Sequence, residues 1–146
     1  DFGGGVENGE SPYKTALREG GEELTGFLGD GKQIQKHIKK NGGVYKLTHN
    51  TYHVHMFFLE YDENLPKYYN RNHRFLWDRM NHTTLSETKL FEKIEIDWFS
   101  IDDMKRRKKE FRGFYQEIVD AILADMENIQ RFIIPKSRLN MTRKNR

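Results

Sequence analysis

Residues 4–26 read GGVENGESPYKTALREGGEELTG, and the rest of the chain is understood from this stretch outward. Glycines at 3, 4, 5 and 9 let a backbone bend and come close to a ligand. They run directly into Glu10, Ser11 and Pro12, an acidic residue followed by an N-cap and an N1 proline. The helix started there carries Arg18, Glu19, Glu22 and Glu23, and carboxylates at i, i+3, i+4 share one face. Three like charges on one ridge repel one another, so the spacing predicts a divalent cation among them; hard oxygen ligands suit Mg2+ or Mn2+. Arg-Glu-x-x-Glu-Glu alone also fits a charged surface helix, and it is the glycine loop ahead of it that argues for a site.

The stretch resembles the Nudix box: Gly, five residues, Glu, seven residues, Arg-Glu, an apolar residue, any residue, Glu-Glu, any residue, Gly and an apolar residue. Gly4, Glu10, Arg18, Glu19, Glu22 and Glu23 fall in register. Gly20 stands where an apolar residue is expected, and with Gly21 it should weaken the helix by roughly 1 kcal/mol per glycine relative to Ala. Thr25 stands in place of the closing glycine, and Gly26-Phe27 looks like that ending displaced by one residue, with Gly26 as left-handed C-cap.

The resemblance implies an α+β Nudix fold, a mixed β-sheet sandwiched between helices, and a pyrophosphohydrolase cleaving a diphosphate linkage in a nucleoside diphosphate joined to a second group. By the same resemblance Glu19, Glu22 and Glu23 are ligands of Mg2+ or Mn2+, and the Gly3 carbonyl is a further ligand. Glu22 or Glu23 takes the proton of the attacking water, Arg18 holds the carboxylates in place, and Gly4, Gly9 and Glu10 frame the loop. An additional acidic ligand is expected downstream, Glu92 first and Glu95 as alternate, although either also fits a solvent-facing carboxylate. Nudix folds place strands ahead of the loop, so the chain reads as lacking N-terminal strands. A hydrolase domain is expected over residues 1–134 and a basic, disordered tail over 135–146.

A chain of 146 residues is long enough for one small domain with a real core. It has no cysteine, which excludes disulfides, thiolate metal sites and cysteine nucleophiles. No apolar run approaches the ~18 residues of a membrane span and no signal-peptide pattern opens the chain, so a soluble cytoplasmic protein without membrane contact is expected. The net charge of +3 is unevenly spread: residues 1–103 carry −4 and residues 104–146 carry +7. Lys105, Arg106, Arg107, Lys108 and Lys109 form an unbroken basic run, read either as an RNA contact or as a solvated helix start. The basic C-terminal segment resembles that of Nudix decapping enzymes, including those of large DNA viruses, which implies capped RNA as substrate ahead of free nucleotides, dinucleoside polyphosphates or diphosphoinositol phosphates. A non-catalytic Nudix-fold module that binds nucleotide or RNA is the alternative.

Elsewhere, Asp30 should cap a short helix ended by Gly42-Gly43. Val44–Leu47 and Thr51–Tyr61 read as strands, the second a central one, with His53 and His55 as a conceivable chelating pair or as polar lining. Pro66 should open a helix to about Met80, in which Tyr68, Tyr69, Phe75 and Trp77 interleave with Lys67, Arg71, Arg74 and Arg79. Core packing is the first reading of those aromatics; stacking on bases beside phosphate-holding cations is the other. Asn81–Glu87 read as a loop and Phe91–Phe99 as a strand. Ser100 with Asp103 approximates a capping box, and a long helix from Phe111 should end at Pro135.

Overall fold

The computed structural model describes residues 2–88 and 92–134. It is an α+β protein, with seven α-helices and a two-stranded antiparallel sheet among the described residues. None of these helices is long and apolar enough to cross a membrane. Two compact units are present, one made of residues up to 37 with 60–98, the other of 38–59 with residues from 99 onward.

The first unit begins with the glycine loop and α1 (Pro12–Glu23), where Ser11 Oγ accepts from the Lys14 amide and Pro12 occupies the first turn. The helix runs unbroken through Gly20 and Gly21. Tertiary packing offsets their poor propensity: the Gly21 face meets the Gly29 carbonyl and the Gly31 amide, and Gly31 in turn lies against the Leu17 carbonyl. The backbone of α1 thus rests directly on the turn into α2 (Gly31–Lys40), and Ile34 fills the space beside Gly20. Burying Leu17, Leu24 and Ile34 contributes roughly 1.5–3 kcal/mol each, enough to outweigh two glycines. Asp30 caps α2 as expected, its carboxylate accepting from the Gln33 amide at 2.8 Å while the Gln33 side chain accepts from the Asp30 amide.

The end of α1 corrects the expectation about Gly26. Thr25, with φ +54°, is the left-handed residue that closes the helix: its amide donates to Glu22 and the next amide, of Gly26, donates to Gly21, a Schellman pattern. Gly26 is left-handed too, but one position later. A β-branched residue is strained in this region. Thr25→Gly is therefore expected to stabilise the protein by roughly 0.5–1 kcal/mol. A urea unfolding midpoint below that of the parent chain would contradict it.

The next helix, α3 (Asn64–Trp77), starts two residues before Pro66, which sits in a first turn where its missing N–H costs nothing. Tyr69 is the buried aromatic of α3, while Tyr68, Phe75 and Trp77 are exposed, so core packing accounts for one of the four. Residues 82–87, expected as a loop, form α4 (His82–Glu87) because Asn81 accepts from the Thr83 amide and Leu85 is buried. The strand expected over 91–99 is absent from its described part, residues 92–99. Backbone groups there are taken by α3: Asn70 exchanges two hydrogen bonds with Ile96 and Tyr69 donates to the Lys93 carbonyl. With those groups engaged, no ladder forms.

In the second unit β1 (Tyr45–His49) pairs with β2 (Tyr52–Met56). The strand read to Tyr61 stops at Met56, and it is one of two rather than central. Gly42 and Gly43, both at positive φ, turn the chain just before β1, so residues beyond Met56 have no partner in the ladder. Tyr45, Leu47, Val54 and Met56 pack on Ile118, Ile122 and Ile129. Ser100 and Asp103 form a true capping box on α5 (Ile101–Arg106). The long helix breaks into α6 (Gly113–Ala124) and α7 (Met126–Ile133) at Asp125, whose carboxylate accepts from the Tyr45 hydroxyl and from Asn128. These bonds hold Asp125 as cap for both helices and lower its pKa, the Tyr45 contact most. Pro135 and the expected tail lie outside the described residues.

Candidate functional site

Arg18 is the centre of the site. Its Nε and Nη2 donate to the two oxygens of Glu10 at 3.1 and 3.2 Å, a bidentate pair, and Nη1 donates to Glu19 Oε1 at 2.8 Å and Glu22 Oε2 at 3.3 Å. Nη2 also reaches the Gly5 carbonyl at 3.4 Å. One guanidinium therefore ties the loop to two helix carboxylates, using a geometry that lysine cannot supply. Thr15 adds a hydroxyl to Glu10 at 2.8 Å. Arg18 first, and Thr15 after it, hold the Glu10 carboxyl down to about 2; the same pairing raises Arg18 above its ordinary range.

The loop is shaped around these groups. Gly9, at φ +82°, is the third residue of a turn closed by the Glu10 amide on the Glu7 carbonyl, where a left-handed residue is required. Gly4 lies so close to the helix that a first side-chain carbon there would be 2.3 Å from Glu19 Oε1.

Glu23 has different partners. It is 3 % exposed, accepts from the Gly3 amide at 3.0 Å and pairs with Lys93 Nζ at 3.0 Å. Its carbonyl, at 2.9 Å, and the Lys93 carbonyl, at 3.0 Å, share the single proton of the Tyr69 hydroxyl. Gly3 thus reaches the site through its N–H. Glu92, beside Lys93, is exposed, as is Glu95, and no hydrogen bond or ion pair ties either of them to the site among the described residues. Sequence reading passed over Lys93, because a lysine within an alternating stretch carries no signal of a buried partner 70 positions earlier.

The structure brings Glu10, Arg18, Glu19, Glu22 and the glycine loop together, with Glu23 fixed on Gly3 and Lys93. The repulsion expected among the three helix carboxylates is met by Arg18 and Lys93. Glu19 and Glu22 are hard oxygen donors of the kind Mg2+ or Mn2+ takes, and both converge on Arg18 Nη1; no cluster of three or more His, Cys, Asp or Glu is found among the described residues.

The basic run belongs to the second unit and is largely paired. Lys105 faces Asp102 at 3.8 Å, Arg106 bonds Asp103, Arg107 bonds Glu110 at 2.7 Å, and Lys108 bonds Asp120 at 2.5 Å. His53 bonds Thr48, and His55 is half-buried with its pKa lowered chiefly by desolvation. No protein-family model, curated protein or solved structure matches the chain.

Proposed function

We propose that the chain is a Nudix-type pyrophosphohydrolase that uses Mg2+ or Mn2+ to cleave a diphosphate linkage in a nucleoside diphosphate joined to a second group, with capped RNA as substrate. The Arg18 centre supports this most: one guanidinium joins Glu10 of the glycine loop to Glu19 and Glu22, at the spacing of the Nudix box. With this assignment goes a fold in which the hairpin belongs to a larger mixed sheet.

A divalent cation held by Glu19 and Glu22 would neutralise charge developing on phosphoryl oxygens and acidify a water for attack on phosphorus. The chain's own residues do the positioning. Arg18 orients Glu19 and Glu22, Glu10 and Thr15 fix Arg18, and the glycine loop lays its backbone against Glu19 and Glu23. Glu23 or Glu22 takes the proton of the attacking water. In this account Arg18 is a positioning residue that does not touch substrate.

A non-catalytic module that binds nucleotide or RNA is the second reading, favoured by the Lys93–Glu23 ion pair, which engages a carboxylate the chemistry needs. A substrate panel with Mg2+ separates the two: capped RNA, a cap dinucleotide, free nucleotides and diphosphoinositol phosphates. Hydrolysis is expected, with capped RNA giving the highest kcat/KM and releasing its cap as a nucleoside diphosphate. Binding without release from any of them would replace the hydrolase by the module.

A further inference from the structure

The outward face of α3 carries an arrangement that the chemistry above does not use. Tyr68 is 58 % exposed and Phe75 54 %, and a spacing of seven residues sets both rings on one stripe of the helix, turned away from buried Tyr69 and His73. Lys67, Arg71, Arg74 and Arg79 are exposed around them. The Arg79 guanidinium lies over the Phe75 ring, 4.0 Å from its centroid. Among the described residues none of these four cations has a carboxylate partner, whereas four of the five cations in the run 105–109 do. A cation already paired must give up its acid before it can meet a phosphate.

We infer that this face of α3 binds single-stranded nucleic acid, with phosphates on Lys67, Arg71 and Arg74 and unstacked bases on the Tyr68 and Phe75 rings. Charge and shape both select that partner. The Tyr68 ring and the face of Phe75 that Arg79 does not cover offer stacking platforms to bases free of a duplex, and the cations of Lys67, Arg71 and Arg74, without carboxylate partners, complement a phosphate backbone. A duplex, whose bases are already stacked, can use only the cations. An uncharged apolar partner would leave the cations without a role. The inference stands apart from the hydrolytic assignment, which concerns a different face of the same unit.

The test is fluorescence anisotropy of the full chain with labelled 12-nucleotide oligo-U, oligo-dT and a duplex of equal length, in EDTA so that no metal-dependent cleavage intervenes. Single strands are expected to bind more tightly than the duplex, and a preference for oligo-U over oligo-dT would identify RNA. The pair Arg71→Ala and Arg74→Ala should raise Kd at least tenfold and flatten the salt slope by roughly 1.4, at about 0.7 per phosphate contact. The pair Tyr68→Ala and Phe75→Ala should raise Kd with the salt slope unchanged. All four side chains are exposed, so circular dichroism should report an unaltered fold. Substituting residues 105–109 should have the smaller effect. Equal affinity for duplex and single strand, unchanged binding in both α3 variants, or self-association of the chain abolished by the Tyr68 and Phe75 changes would each overturn the inference. Binding without hydrolysis would leave it standing while removing the proposed function.

Discussion

Glu23→Gln is expected to lower kcat by at least ~100-fold on whatever diphosphate substrate the chain turns over, with the fold retained. Glutamine preserves shape and can still accept from the Gly3 amide, so the loop keeps its anchor. What is lost is the charge. An amide can neither take a proton from water nor serve as an anionic ligand, and at 3 % exposure no solvent replaces it. Lys93, 30 % exposed, loses its partner at a cost of about 1 kcal/mol, which circular dichroism and a melting curve can separate from the kinetic effect. Unchanged turnover in a folded variant would place the chemistry elsewhere.

The largest effect on stability is expected at Arg18. Arg18→Met removes the cation shared by Glu7, Glu10, Glu19 and Glu22, leaves four carboxylates without it and frees the Gly5 carbonyl. With the Arg18 side chain 21 % exposed, the destabilisation should be about 2–3 kcal/mol, below the range for a fully buried pair. Glu10 should titrate nearer its ordinary value, because its main depressing partner is gone. Millimolar Mg2+ should raise the melting temperature of this variant more than that of the parent, since a hard cation can stand among the same oxygens. A variant melting with the parent, indifferent to Mg2+, would show that the Arg18 centre holds neither loop nor metal site together.

Local signals in the sequence led to the parts of the fold that depend on local chemistry. Ser11-Pro12, Asp30 with Gln33, and Ser100 with Asp103 each cap the helix they precede, because a capping bond is decided within four residues. The association of Arg18 with Glu22 was legible for the same reason. What sequence reading missed depends on distant partners. The extended run 92–99 has the alternation of a strand, but Asn70 and Tyr69 occupy its backbone groups. The helix from residue 113 has continuous apolar periodicity, yet Tyr45 and Asn128 draw Asp125 into a break. Within the site, the partition of the carboxylates between Arg18 and Lys93 was invisible, since spacing reports the face that groups share and says nothing of which cation reaches them first.

The helix carboxylates are proposed to serve a metal-dependent hydrolysis. The measurement that tests it is release of nucleoside diphosphate from cap-labelled RNA by the full chain, followed with Mg2+ or Mn2+ and again with EDTA in excess. Release in the presence of either metal, abolished by chelation and restored when the metal is returned, is the predicted result. Release that continues undiminished in excess EDTA would contradict it.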